Sequence, residues 1–196
     1  DMRRLREATA EVGVGVHLDG ARLWNAHVAT GTPLSDYGAC ADTVSVCLSK
    51  GLGAPVGSVL AADAERIHQA RVWRKRLGGG MRQVGILAAA GLHALEHHVE
   101  RLAEDHARTR RAAEALAQAA PGTVQPGTVE TNILVLDVGA AGWTGPGLVA
   151  AAGEAGVLGY PTGPRHARYV WHLDVDDPTT DAAVDVLAGL LRRGPA

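Results

Sequence analysis

The run Thr43-Val44-Ser45-Val46-Cys47-Leu48 leads within two residues to Lys50 and the turn Gly51-Leu52-Gly53-Ala54-Pro55-Val56-Gly57. A short apolar run bounded by turn residues reads as a strand entering a core. Burying a charge is costly, so a lysine at the exit of such a strand calls for a use. A similar stretch, Val14 to Leu18, runs into Asp19-Gly20, and a third strand is expected over 58–62. Helical patterns at 21–29, 33–39 and 63–77 alternate with these runs, with Asp63 as the N-cap of the last. Strands alternating with helices describe an α/β fold.

The flanking segments extend this reading. Residues 1–13 form an expected helix with Met2, Leu5 and Ala8 or Thr9 on one face, closed by Gly13. Gly78-Gly79-Gly80 breaks the chain, and residues 81–119 read as one long helix or two end to end. After the turn cluster at 121–127, strands are expected over 131–138, 157–160 and 168–175, with helices over 146–155 and 179–192. The organisation expected is therefore an α/β part over 1–80, a connecting helix over 81–120 and a small α+β domain over 121–196. A chain that opens inside a helix leading straight to a buried strand reads as the later part of something longer.

Composition excludes several functions. With 46% hydrophobic and 20% charged residues, the chain can bury a sizeable core. A net charge of −2 gives no electrostatic reason to expect nucleic acid or an anionic membrane as partner. No apolar stretch reaches membrane-spanning length free of charge or glycine. Cys40 and Cys47 fit no disulfide or metal framework and read as buried thiols, which points to a reducing, cytoplasmic compartment.

Asp19 and Lys50 form the strongest chemical pair, each expected just past the C-terminal end of a strand. Ligands of open α/β sheets bind at that edge. A carboxylate and an amine placed there suit pyridoxal phosphate, whose aldehyde takes a lysine and whose pyridine nitrogen pairs with an acid. A surface Asp in a turn and a snorkelling Lys remain the alternative. The rival motif His93-Ala94-Leu95-Glu96-His97 matches the H-x-x-E-H pattern of zinc peptidases. Short matches are cheap in a chain with 9 His, and a solvated helix face is the preferred reading; no metal is expected. His17 reads as a packed strand residue rather than a base.

The wording of three segments goes further. HLDGARLWNA at 17–26, CLSKGLGAPVGS at 47–58 and WRKRLGGGMRQVGILAAAGLHALEH at 73–97 resemble the low-specificity L-threonine aldolases, which are fold-type-I pyridoxal-phosphate enzymes. RYVWHLDV at 168–175 resembles the family's late R-L-V-T-H-L-D-V segment, with Tyr169 and Trp171 as departures. The resemblance implies a fold-type-I large-domain portion followed by a small α+β domain. It implies Lys50 as the lysine bonded to pyridoxal 5'-phosphate, Asp19 on the pyridine nitrogen, Arg22 near the cofactor and on the substrate carboxylate, Arg168 as second carboxylate ligand and Arg82 on the cofactor phosphate. Planar guanidinium groups suit both anions.

The activity implied is cleavage of L-threonine or L-allo-threonine to glycine and acetaldehyde. Another pyridoxal-phosphate lyase or transaldolase acting on a β-hydroxy amino acid, and a non-enzymatic truncated remnant, stay open. The family's phosphate cradle and ring-stacking histidine have no counterpart here. A homo-oligomer, or a partner chain supplying the first half, is therefore expected, and the chain alone is expected not to turn over threonine.

Overall fold

The computed structural model describes residues 2–195, so Asp1, the expected first residue of the opening helix, lies outside the described residues. The chain divides into two compact units, one reaching Arg101 and the other starting at Leu102.

The first unit contains α1 (Met2–Glu11), β1 (His17–Gly20), α2 (Leu23–Thr30), α3 (Leu34–Gly38), β2 (Thr43–Cys47), β3 (Ser58–Ala62), α4 (Ala64–Arg76) and α5 (Gly85–His97). Its sheet has the order β1-β2-β3. β1 and β2 are parallel, with Asp19 opposite Ser45 and Gly20 opposite Val46. Parallel neighbours need a crossover, and α2 and α3 provide it. β3 returns antiparallel to β2, so a loop over 48–57 suffices. Asp63 caps α4 by accepting the Arg66 amide at 2.9 Å.

β1 begins three residues later than the strand expected from Val14. The cause is Asp42, whose carboxylate accepts the Val16 amide at 2.8 Å while its own amide donates to the Val16 carbonyl at 2.8 Å. Asp42 also receives Arg6 at 2.6 and 3.0 Å, which ties α1 to the start of β2. Pairing with β2 continues to Gly20 opposite Val46, so Asp19 lies within β1, one residue before its end, and not beyond the strand as expected. The stretch 81–119 is two helices, not one. Gln83 has φ 49°, and the first helix starts only at Gly85.

The second unit contains α6 (Leu102–Ala119), β4 (Ile133–Asp137), α7 (Gly145–Glu154), β5 (Tyr160–Pro161), β6 (His166–Val170) and α8 (Asp177–Arg193). Its sheet is antiparallel in the order β4-β6-β5. Leu116, Leu134, Leu136, Leu148, Ala167 and Leu187 are the centre of a contiguous core. β6 alternates, with Ala167 and Tyr169 buried and Arg168 between them on the opposite face.

Two strands of this unit also differ from expectation. Val157 caps the end of α7 by donating to the Ala152 carbonyl at 2.9 Å, so β5 pairs only from Tyr160. β6 starts at His166 and ends at Val170, because the chain turns at His172–Val175 into the Asp176 cap of α8.

Candidate active site

The parallel pair β1/β2 presents two chemically different groups at one edge. Asp19 is exposed near the C-terminal end of β1, and Lys50 is exposed three residues beyond the end of β2. The Ala21 amide donates to one Asp19 oxygen at 3.1 Å, which points the chain out of the strand into α2. Gly20 is required at this exit: a Cβ there would lie 2.7 Å from the Ser45 carbonyl oxygen. Arg22 follows as the N-cap residue of α2, half-buried and engaged in an interaction of its own. Neither Asp19 nor Lys50 takes part in an ion pair among the described residues.

The loop after β2 is built by its own backbone. Leu48 donates to Gly57 at 3.0 Å, Ala54 to Leu48 at 3.0 Å and Gly53 to the Lys50 carbonyl at 2.9 Å. Gly53 has φ 69°, a conformation open to glycine at little cost. Leu52 and Ala54 are buried beneath the loop, and the His98 ring bonds to the Leu52 carbonyl at 2.6 Å. Lys50 therefore stands on a loop with fixed ends, although its own side chain reaches solvent.

Two residues not singled out from the sequence, Trp24 and Ser49, support this edge through Cys47. The Trp24 indole N–H donates to the Cys47 carbonyl at 3.0 Å, and the Cys47 thiol lies 3.4 Å from the Ser49 hydroxyl. Burial pushes the Cys47 thiol up, but its hydrogen bonds to Ser49 and the nearby Lys50 charge outweigh that and hold it below its usual range. Cys40 and Cys47 are both buried and free. An aromatic next to the DGAR segment and a serine beside the lysine were the only sequence signals for these contacts.

The other candidates sit apart from this pair in the chain. Arg82 is exposed in the irregular segment between α4 and α5. Arg168 belongs to the second unit, half-buried on β6 opposite Val135 and Tyr160. His17 is exposed, contrary to the packed residue expected, because its ring bonds Thr43 across the strands at 2.7 Å on the open face of the sheet. The His93 and His97 rings lie 4.4 Å apart, tilted by 51°, on exposed positions of α5. Among the described residues no three metal-ligating side chains converge, and no helix is long and apolar enough to cross a membrane.

Comparison with known proteins places this arrangement. The chain is 42% identical over 169 residues to the low specificity L-threonine aldolase of Escherichia coli O157:H7, covering 86% of this chain and 49% of that protein. It is 46% identical over 135 residues to low-specificity L-threonine aldolase 1 of Arabidopsis thaliana, covering 69% of this chain and 38% of the relative. The chain thus spans about half the length, or less, of these curated relatives. A crystal structure from Listeria monocytogenes, described as a candidate L-allo-threonine aldolase, superposes with a TM-score of 0.72 at 19% identity, covering 96% of this chain and 55% of that one. That likeness bears out the fold-type-I α/β architecture. The profile of the β-eliminating lyase family matches residues 1–139, and with this match over most of its length the chain belongs to the β-eliminating lyase family.

Proposed function

We propose that this chain carries the cofactor lysine of a pyridoxal-phosphate aldolase that cleaves L-threonine or L-allo-threonine to glycine and acetaldehyde. The observation that carries the reading is the placement of Asp19 and Lys50 at one edge of a parallel strand pair, neither engaged in an ion pair among the described residues. The donor set fits the cofactor: an accessible primary amine, a carboxylate on the neighbouring strand and guanidinium groups for anions. Bound pyridoxal phosphate supplies an electron sink for breaking the Cα–Cβ bond.

The chain's own residues then divide the work. Lys50 offers the amine that attaches to the cofactor aldehyde. Asp19 keeps one carboxylate oxygen tied to the Ala21 amide and offers the other to the protonated pyridine nitrogen. Arg22 holds the substrate carboxylate, and Arg82 serves the phosphate. Arg168 keeps its role as a carboxylate ligand on the strength of the segment that it opens. Fixing the carboxylate orients the bond to be broken, and orientation of this kind lowers barriers by several kcal/mol.

The free buried thiols Cys40 and Cys47 support a cytoplasmic location. Exposed Trp73, Leu77, Met81, Val84 and Ile86 support assembly with a second copy or with a chain supplying further strands.

The chain contains only two lysines, Lys50 and Lys75, which makes the central test clean. The protein is incubated with pyridoxal phosphate, reduced with borohydride, digested and weighed. The cofactor mass should lie on the Lys50 peptide and vanish in Lys50→Ala. Labelling of Lys75 alone would sink the assignment. In an active assembly that contains this chain, aldehyde release from L-threonine, L-allo-threonine and phenylserine then distinguishes the proposed substrates from other β-hydroxy amino acids.

A further inference from the structure

One face of α5 holds the lysine loop at two points. Gly91, Ala94 and His98 recur at helical spacing; the first two are buried and His98, the C-cap residue, is half-buried. A Cβ on Gly91 would lie 3.1 Å from Leu48 Cδ1, so the Leu48 side chain packs on bare helix backbone there. At the other end of the same face, His98 Nδ1 lies 2.6 Å from the Leu52 carbonyl oxygen. Lys50 stands midway between Leu48 and Leu52 in the chain, bracketed by the two contacts.

The His98 contact has a fixed direction. A carbonyl oxygen only accepts, so Nδ1 carries the proton and donates it. The loop's own bonds do not replace this donor: the Gly53 amide goes to the Lys50 carbonyl and the Ala54 amide to the Leu48 carbonyl. Leu52 is 1% exposed, so water has no ready access to its carbonyl either. A buried carbonyl that loses its donor is costly, which makes His98 more than a packing residue.

We propose that His98 is a positioning residue for Lys50: its Nδ1–H fixes the Leu52 carbonyl, and with it the turn from which the amine attaches to the cofactor. The inference rests on the reading of Lys50 as the cofactor lysine. His98 acts through the backbone and not on the reacting atoms. A loop that is already ordered loses less freedom on binding, so the effect is read as cofactor affinity.

Two variants separate the hydrogen bond from packing. His98→Leu removes the donor, whereas His98→Asn places an amide N–H near the position of Nδ1. Hydrogen exchange at the Gly53 and Ala54 amides should speed up about fivefold in His98→Leu, the weight of one hydrogen bond, and return toward the wild-type rate in His98→Asn. Pyridoxal phosphate titration with borohydride trapping then follows the Lys50 and Lys75 peptides in one sample. The half-saturating concentration for Lys50 should rise about fivefold in His98→Leu and recover in His98→Asn, while that for Lys75 on α4 stays constant. Wild-type exchange in His98→Leu, or no recovery in His98→Asn, overturns the proposal. So does an unchanged Lys50 midpoint beside faster exchange, or a matching change at Lys75, since either reduces His98 to a structural contact. A wild-type chain that takes no cofactor on Lys50 overturns the aldolase reading instead, and exchange alone then decides whether His98 holds the loop.

Discussion

The indole N–H of Trp24 donates to the backbone carbonyl of Cys47 across 3.0 Å, joining α2 to the last residue of β2. Lys50 follows three residues later, so this bond fixes the point from which its loop departs. The contact ties the DGAR segment and the lysine loop into one edge, through backbone rather than through the reactive groups themselves.

Trp24→Phe keeps most of the apolar body and removes the donor. The Cys47 carbonyl is then left without that partner, at a cost of about 1–2 kcal/mol. Hydrogen exchange should show the amides of Leu48 and Ala54, which close the lysine loop, losing protection. Unchanged exchange there would mean that the loop is held by its own turn alone.

Asp19→Asn tests the carboxylate independently of the lysine. The variant keeps an acceptor for the Ala21 amide, so the exit from β1 should persist. It lacks the charge needed to hold a proton on the pyridine nitrogen. Borohydride should still fix the cofactor on Lys50, while threonine turnover by an enzyme active before the change falls at least about a hundredfold. Near-normal turnover would reduce Asp19 to a turn residue.

Much of this was legible because the signals were local. The apolar run before Lys50, the glycine turn after it and the Asp63 cap each rest on neighbouring residues, and each forms where the pattern predicts. The starts and ends of strands were harder. β1 begins where it does because Asp42, 26 residues after Val16, captures the Val16 amide first. β5 is shortened because Val157 is used to close α7. Neither choice leaves a trace in periodicity. Trp24 and Tyr169 are ordinary apolar-pattern residues in the sequence; one donates to a distant carbonyl and the other donates to nothing among the described residues. Only the fold separates them.

The core of the second unit gives a plain stability test. Leu134 on β4 and Leu116 on α6 are fully buried in one cluster. Leu134→Ala should cost about 2–5 kcal/mol, the range for a leucine truncated where neighbours cannot close the gap. Urea unfolding followed by tryptophan fluorescence, to which Trp143 and Trp171 contribute from this unit, reads it. A loss well below 1 kcal/mol would show that the cluster is looser than its burial implies.

Asp42 makes the first unit sensitive to acid. The hydrogen bonds from Arg6 are the largest cause, followed by the bond from the Val16 amide; together they outweigh burial and hold the Asp42 carboxyl below its ordinary value of 3.8. The unfolded chain lacks these partners, so at low pH it takes up the proton more readily than the folded chain. The stabilisation is therefore complete above the ordinary carboxylate range and is lost as pH falls through it. What protonation of Asp42 removes is the tie between α1 and the start of β2, since Arg6 and Val16 share that one carboxylate. Asp63, Asp137, Asp176 and Asp177 are held low in the same sense, so the informative quantity is a difference between variants. Asp42→Asn should lower stability at neutral pH and flatten the decline between about pH 5 and pH 2 relative to the wild-type chain. Arg6→Gln should do the same, because it removes the largest cause of the depression. Thermal unfolding across that pH window measures both. Parallel curves for wild type and Asp42→Asn would show that the carboxylate contributes no pH-dependent stability, and that the Arg6 pair is an exposed contact of little energetic weight.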